Sequence, residues 1–112
     1  MMEAMSDATL LRVFVGEEDR HAGQPLYKAI VDKARAMDLA GATVLQAPLG
    51  FGPSRRSRSE LNVDAGDRLP MVVEIVDSRA RIDAFLAVLP ELVESGLVTL
   101  EKVQAHVIRR RP

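Results

Sequence analysis

The 112-residue chain contains no cysteine and no tryptophan, and only three phenylalanines and one tyrosine. Without cysteine there can be no disulfide, no thiolate metal ligand and no thiol nucleophile. The shortage of aromatic rings leaves few platforms on which the bases of single-stranded nucleic acid could stack. We therefore expect a core of aliphatic side chains and exclude thiol chemistry.

Strong net charge and long apolar runs are also missing. The formal net charge is −1, so the chain has no bulk attraction for nucleic acid or for an anionic membrane. No apolar run approaches the ~20 residues of a membrane-spanning helix. The opening "MMEAMSDATL" lacks the basic and apolar regions of a signal peptide. We expect a cytoplasmic protein that neither enters the membrane nor binds nucleic acid.

What is present is a regular alternation of apolar and polar segments, with 47% hydrophobic and 28% charged residues. Hydrophobic periodicity predicts the order strand, helix, strand, strand, helix, strand. This order predicts an α+β, ferredoxin-like βαββαβ sandwich, with an antiparallel sheet and both helices on one face. We expect residues 1–9 to be a disordered segment and residues 10–112 to be a single domain.

Particular residues bound these predicted elements. The first strand covers Leu10–Gly16, and the first helix starts at Pro25 and stops at Gly41. The third strand covers Leu69–Asp77, after which Asp77 or Ser78 caps the second helix. Pro90 is predicted to kink or restart that helix because it lacks a backbone donor. Pro48 indicates that the second strand is an edge strand or carries a bulge.

The segment Gly50–Pro70, "GFGPSRRSRSELNVDAGDRLP", joins two predicted strands. Loops this long inside a compact domain are uncommon and are usually functional or disordered. Its first half is basic and its second half acidic, which favours a surface for a protein partner. A disordered connection without a role is the alternative interpretation.

Both faces of the predicted sheet carry apolar residues. A ferredoxin-like sheet has helices on one face only, so the second apolar face needs another cover. Oligomerisation would supply it. The alternative is that the terminal segments of the same chain lie over this face.

Several segments together resemble a known family. They are "VGEEDRHAGQPLYKAIVDKAR", "GATVLQAPLGFG", "LPMVVEIVDSRARIDAFL", "GLVTLEKV" and "HVIRRR". In this order they resemble the PII signalling proteins and, more closely, the PII-like DUF190 family. The resemblance covers essentially Leu10–Arg110. It implies a ferredoxin-like homotrimer whose sheets face inward, with a small-molecule site between subunits that often takes an adenine nucleotide. It also implies that the long loop, the T-loop of PII proteins, acts on a partner that is frequently a membrane transporter.

The resemblance also assigns roles to individual positions. As ligand-binding residues it implies Thr43, Gly50, Gly52, Val76, Arg109 and Arg111, and Gly96 and Thr99 could bond an anion near the last strand. The arginines at 109 and 111 match two basic residues that reach phosphate, for which an arginine fork is well suited. We expect the partner-binding part of the loop to include Pro53, Ser54, Arg58 and Glu60.

Two departures from the PII pattern bear on the ligand. Pro53 and Ser54 follow "GFG" where PII proteins have arginine and glutamine, so Arg55 or Arg56 would have to supply that charge. The junction "SGLVTLEK" lacks the lysine-tipped phosphate loop of PII proteins. A monophosphate, a cyclic nucleotide or another anion is therefore as consistent with the sequence as a triphosphate.

Two further functions were weighed against a regulatory one. Glu17, Asp19 and His21 share one loop and could bind a divalent metal, as in a trimer similar to CutA, although their spacing fits no defined metal motif. A ligand-free scaffold that binds a protein partner constitutively is the other alternative. Neither histidine has a motif-paired serine or aspartate, so we do not expect an enzyme.

Overall fold

The computed structural model describes residues 1–47 and 70–110. Within these residues the chain forms strands and helices in a βαββαβ arrangement with short additional strands. In chain order the elements are β1 (Met2–Ala4), β2 (Ala8–Gly16), β3 (Arg20–His21), β4 (Gln24–Pro25), α1 (Leu26–Ala36), β5 (Thr43–Gln46), β6 (Pro70–Ser78), α2 (Arg79–Val88), a 3₁₀ turn (Leu89–Glu91), β7 (Leu97–Lys102) and β8 (His106–Ile108).

Four strands form one antiparallel sheet in the order β5–β6–β2–β7. Strand β2 is central and pairs along its whole length with β6, from Ala8 opposite Ser78 to Gly16 opposite Pro70. Helix α1 connects β2 to β5, and α2 connects β6 to β7. This is the connectivity of a ferredoxin-like fold, so the predicted fold class is confirmed. Strand β5 lies at an edge of this sheet, which agrees with the expectation based on Pro48.

The core lies on the helical face of the sheet. Buried and half-buried residues alternate along β2 and β6, as expected for strands that have one covered face. The buried set packs against the two helices and is aliphatic apart from Phe85. Its members are Leu11, Val13, Val15, Leu26, Ile30, Ala34, Met71, Val73, Ile75, Ile82, Phe85 and Leu89.

Helix α1 is shorter than the sequence predicts. Pro25 immediately precedes its first residue, as expected, but the helix ends at Ala36 and not near Gly41. Asp38 takes a left-handed backbone conformation, with φ of 64°, and helices commonly end at such a residue. The amide of Leu39 then donates to the carbonyl of Ala34 at 3.0 Å, which closes the last turn.

Helix α2 begins at the cap that the sequence predicts, but it ends at Val88 and not at Gly96, where the sequence pattern places its stop. Ser78 is its N-cap, and the Ser78 hydroxyl accepts a hydrogen bond from the amide of Arg81 at 3.4 Å. The helix stops at Val88, and Pro90 lies in the 3₁₀ turn that follows. Among the described helices, none has the length and apolar character needed to cross a bilayer.

Asp77 fixes the start of α2 to the end of the α1 connection. Its side chain is 7% exposed and accepts hydrogen bonds from the amides of Ala40 at 2.9 Å and Ser78 at 2.7 Å. A buried carboxylate is costly unless it accepts such bonds. The sequence allowed either Asp77 or Ser78 as the cap. Ser78 is the N-cap of α2, and the Asp77 carboxylate instead bonds to the connection that follows α1.

Strands β1 and β8 pair as a two-stranded unit, here called the terminal ribbon. The β2–β7 pair leads into it through bonds from Val103 to Ala8 and from Met5 to Ala105, at 3.1 and 2.9 Å. The expectation of disorder over residues 1–9 therefore differs from the structure, in which Met2–Ala4 is a strand. The pairing segment lies more than 100 residues away in sequence, and three residues are too few for a local pattern to indicate a strand.

Candidate functional site

The sheet face opposite the helices is here called the open face. Strand register assigns eleven residues to it, and these lie in three rows across the sheet. The first row is Leu45, Val72, Phe14 and Leu97, the second is Thr43, Glu74, Arg12 and Thr99, and the third is Val76, Leu10 and Glu101. Among residues 1–47 and 70–110, no helix packs on this face, so it is left without a partner in the single chain.

The first row of the open face is entirely apolar. Leu45 and Leu97, at its two ends, are 48% and 50% exposed, and the central Val72 and Phe14 are half-buried. Contiguous exposed apolar surface on a small domain marks an interaction site more often than it marks plain solvent-facing surface. The expectation of a second apolar face is therefore met by this row, whereas the alternate residues Val13 and Val73 belong to the core under the helices.

The second row carries an ion pair at the middle of the open face. Arg12 Nε lies 2.9 Å from Glu74 Oε2, and Arg12 Nη1 lies 3.4 Å from Glu101 Oε1 in the third row. The hydrogen bond to Glu74 is the main reason that the pKa of Arg12 lies above its ordinary value. The guanidinium is thus charged at every working pH. Glu74 on β6 thus pairs with Arg12 of the same chain.

Three of the predicted ligand-binding residues lie on the open face. Thr43 and Val76 are on the neighbouring strands β5 and β6, and Thr99 is on β7 at the other edge. Three strand spacings separate Thr43 from Thr99 in their shared row, which is about 14 Å at a spacing of about 4.8 Å. They share a surface, but within one chain they are too far apart to contact the same base or phosphate.

Gly96, a predicted anion-binding position, has a packing role. It precedes β7, and a Cβ at this position would lie 3.0 Å from Val93 Cγ1 and 3.1 Å from the carbonyl oxygen of Phe14. Glycine fits here because the backbone of the turn passes close to the central strand, and a side chain would need its neighbours to shift by a few tenths of an ångström. This close approach places Gly96 at the same end of the sheet as Gln46 and Pro70, which flank the long loop.

Gly96→Ala is expected to lower the free energy of unfolding by about 1–3 kcal/mol, because the added methyl group must displace Val93 or the β2 backbone. Gly41→Ala is the matched control: a Cβ there meets nothing within 4 Å, so its effect should be near zero or slightly stabilising. Urea denaturation of both variants at one protein concentration provides the comparison. Equal stability of the two variants would contradict the assigned packing role.

Arg109, the described member of the predicted phosphate-binding pair, lies at the end of the terminal ribbon. Its Nε is 3.1 Å from Glu3 Oε1, and its backbone exchanges hydrogen bonds with Met1 at 2.7 and 2.8 Å. Both side chains of the Arg109–Glu3 pair are more than half exposed. Arg109 is therefore positioned by a weak surface ion pair that an anion with better geometry could replace.

The ribbon and the base of the long loop lie at opposite ends of the sheet. The ribbon continues from the Ala8 end of β2, whereas Gln46 and Pro70 lie at the Gly16 end. Eight residue steps along a strand span about 26 Å. The predicted ligand-binding residues therefore do not form one compact site within a single chain. Arg109 could meet the loop base only if the loop base belonged to another chain.

Many of the predicted site residues lie outside the described residues. They are Gly50, Gly52, Arg55, Arg56 and Arg111 of the ligand-binding set and Pro53, Ser54, Arg58 and Glu60 of the partner-binding set. These assignments stay predictions.

The acidic loop after β2 does not assemble a metal site. Asp19 Oδ2 accepts a hydrogen bond from the amide of Gly16 at 2.8 Å, and Glu17 Oε2 accepts one from Gln46 Nε2 at 3.0 Å. Asp19 and His21 line a cleft of about 270 Å³. Nowhere in residues 1–47 and 70–110 do three histidine or carboxylate side chains converge as metal ligands. Asp19 thus bonds within the loop, and Glu17 bonds the loop to Gln46 of β5.

Two side-chain contacts near the predicted site residues, Glu3 with Arg109 and Gln46 with Glu17, could not be predicted from the sequence. Glu3 falls in a segment predicted to be disordered, and its pairing with Arg109 depends on a ribbon joining the two ends of the chain. The sequence pattern indicates only that Gln46 lies in a strand, yet its side-chain amide donates a hydrogen bond to Glu17 and so connects the base of the long loop to the loop after β2. In both cases the partners are far apart in sequence, so no local motif could reveal them.

Comparison with known proteins identifies the family of the chain. The model of the DUF190 family, described as "Uncharacterized ACR", matches residues 8–105. A UPF0166 protein of Aquifex aeolicus (strain VF5) is 37% identical over 95 residues, which is 85% of this chain and 90% of that protein. A UPF0166 protein of Methanocaldococcus jannaschii is 29% identical over 107 residues, covering 94% and 95% of the two chains. Since the family model covers nearly the whole domain, the chain belongs to the DUF190 family.

Proposed function

We propose that the chain is a PII-like regulatory protein. It self-associates as a homotrimer, binds a small anionic effector such as an adenine nucleotide between its chains, and acts on a partner through the Gly50–Pro70 loop. The partner class that the PII resemblance favours is a membrane transporter. The observation that carries the proposal is the open face, whose apolar row has no described cover.

Self-association is the simplest way to bury the open face. The apolar row runs through all four strands of the sheet, and removal of apolar surface from water stabilises a complex by about 25 cal/mol per Å² before the costs of association. The Arg12–Glu74 pair in the next row keeps the face soluble in a single chain. It also restricts which partner surfaces fit, because a buried charge needs an opposite charge beside it.

An effector site between chains accounts for the separation of the predicted ligand-binding residues. The ribbon end of one chain, with Arg109, and the loop end of another, with Gly96, could lie side by side in a closed ring. A guanidinium fork offers two parallel hydrogen bonds to phosphate oxygens. Effector and partner would be coupled if both favour the same loop conformation, so that each raises the affinity for the other.

The proposal is tested by calorimetric titration of the assembled protein with ATP, ADP, AMP, cyclic AMP and cyclic di-AMP, after its mass has been measured by light scattering. Saturable binding of one of them, near one per chain, is the expected result. If a folded trimer gives no saturable heat with any of the five nucleotides, the proposal that the effector is an adenine nucleotide is wrong. A single-chain mass would remove the intersubunit site.

Variants at Arg109 and Glu3 are expected to change effector affinity in opposite directions. Arg109→Ala removes the phosphate ligand and should weaken binding by about tenfold or more, the usual worth of a charged hydrogen bond. Glu3→Gln removes the carboxylate that competes for Arg109 and should strengthen binding severalfold. Arg35→Ala, at an arginine whose side chain is 80% exposed on α1, is the control for a change in net charge. If all three variants bind the effector as the wild type does, Arg109 is not part of the site.

A further inference from the structure

The loop after β2 contains a carboxylate oxygen that is buried without a hydrogen bond. Glu17 Oε2 accepts a bond from Gln46 Nε2 at 3.0 Å. Glu17 Oε1, by contrast, is shielded from solvent and has no partner among residues 1–47 and 70–110. A buried carboxylate oxygen costs free energy unless a donor reaches it. This oxygen is therefore an acceptor for a donor group that the described residues do not supply.

A cleft of about 270 Å³ is bordered by the same loop and by the turn that follows α2. Asp19 lines it from the loop, and Glu91 and Glu94 line it from the turn. Both glutamates are exposed, and within the described ranges 1–47 and 70–110 their carboxylates form no hydrogen bond or ion pair. Leu26 and Leu92 add apolar surface to the cleft. The cleft thus offers negative charge beside an apolar wall.

Two basic side chains also line the cleft, and both belong to the β3–β4 hairpin. They are Arg20 and His21. Arg20 Nη2 donates to the carbonyl oxygen of Gly23 at 2.6 Å, so part of the guanidinium is used within the hairpin. Even with a charged His21, the three carboxylates outnumber the two cations. The cleft therefore attracts a positively charged group.

The buried oxygen and the cleft lie at the end of the sheet where the flanks of the long loop also lie. Glu17 directly follows Gly16, which is opposite Pro70. Glu94 lies three residues before Leu97, which is opposite Phe14 near the same end. We call this surface the acidic end and define it as Glu17, Asp19, Glu91 and Glu94. A partner that contacts the long loop is therefore close to the acidic end.

We propose that the acidic end binds a lysine- or arginine-bearing segment of the partner protein, and that Glu17 Oε1 accepts a hydrogen bond from one of its cationic groups. The inference rests on the membrane-protein partner of the proposed function and specifies the chemistry of the segment that binds. Cytoplasmic loops of membrane proteins carry an excess of lysine and arginine, so their charge complements the acidic end. The alkyl stems of these side chains can pack against Leu26 and Leu92 while their charged ends reach the carboxylates.

The test is a calorimetric titration of the full-length protein with a synthetic amidated peptide of alternating lysine, arginine and glycine. The uncharged control is a peptide of the same length, with acetyl-lysine in place of lysine and citrulline in place of arginine. We expect saturable binding of the basic peptide that weakens as salt is added, and no binding of the control peptide.

Three variants locate the binding surface. Glu17→Gln keeps the size of the side chain and removes its charge, so it should weaken peptide binding about tenfold, the usual effect of losing a charged hydrogen bond. Glu94→Gln should weaken binding severalfold, because exposed ion pairs contribute less. Asp83→Asn removes the same charge on α2, outside the cleft, where Asp83 pairs with Arg79 at 2.9 Å, and should bind as the wild type does. Since Glu94 is exposed, its variant decides the test even if Glu17→Gln fails to fold.

The results distinguish this inference from the proposed function. No binding of the basic peptide, or equal binding by the wild type, Glu17→Gln and Glu94→Gln, overturns the inference. If spermidine binds as tightly as the peptide, the occupant is a small polyamine and the assignment to a protein segment is wrong. A trimer that binds a nucleotide but not the peptide overturns only the inference. A single chain that binds the peptide at the acidic end but no nucleotide overturns the proposed effector site and supports the inference.

Discussion

Phe85→Ala is expected to lower the free energy of unfolding by about 3–5 kcal/mol. Phe85 is the largest fully buried side chain in the described core, with 0% exposure. It lies on α2, and its ring fills the space between that helix and the strands, among residues such as Leu11 and Ile75. Truncation to alanine loses the buried apolar surface of the ring and leaves a cavity that the surrounding aliphatic side chains can only partly fill. Urea denaturation followed by circular dichroism, at a fixed protein concentration, measures the change.

The matched control is Leu86→Ala on the same helix. Leu86 is only partly buried against the core, so its truncation returns less apolar surface to water and should cost roughly half as much or less. The fixed concentration matters because the proposed self-association would add to the measured stability. A loss at Phe85 no greater than the loss at Leu86 would contradict the core described here.

In the proposed homotrimer, with a mass of three times 12.3 kDa, Val72→Glu is expected to reduce the measured mass to that of one chain. Val72 is at the centre of the apolar row and pairs with Phe14 on one side and Leu45 on the other. In a single chain its side chain is only half-buried, so a carboxylate can stay hydrated there. In the assembled protein the same carboxylate would be buried beside Glu74 without a new cation, at a cost of several kcal/mol.

Two controls accompany this variant. Val72→Thr keeps the shape and adds no charge, so it should retain the assembled mass. Ala84→Glu adds the same charge at an exposed position of α2, on the helical side of the sheet, and should also assemble. Light scattering coupled to size-exclusion chromatography gives the masses. Retention of the wild-type mass by Val72→Glu would exclude the open face as the interface.

The main elements of the fold were predictable because their signals are local. Alternation along Leu10–Gly16 and Leu69–Asp77, and the interruption at Pro90, depend on residues that are neighbours in sequence. The end of α1 was harder to predict, since the left-handed conformation of Asp38 depends on the connection that follows the helix. The terminal ribbon was missed because its two strands are three residues each and are held together by pairing across the whole chain.

The candidate site was less predictable than the fold. Thr43, Gly96 and Arg109 were named as parts of one ligand site, but they lie at different edges and ends of the sheet. Sequence matching can assign positions to a site without indicating how many chains build it. The Arg109–Glu3 pair shows the second limit. A basic residue is easy to recognise as a phosphate ligand, whereas the carboxylate that holds it in the free protein lies more than 100 residues away.

The central position of β2 has a consequence for synthesis. This strand is made first among the four sheet strands, but its two neighbours, β6 and β7, come from the second half of the chain. Until Leu97–Lys102 has left the ribosome, β2 has at least one unpaired edge. Pairings between distant segments make folding slow, and exposed strand edges during that interval favour aggregation. The nascent chain should therefore depend on chaperones more than a helical protein of the same length does.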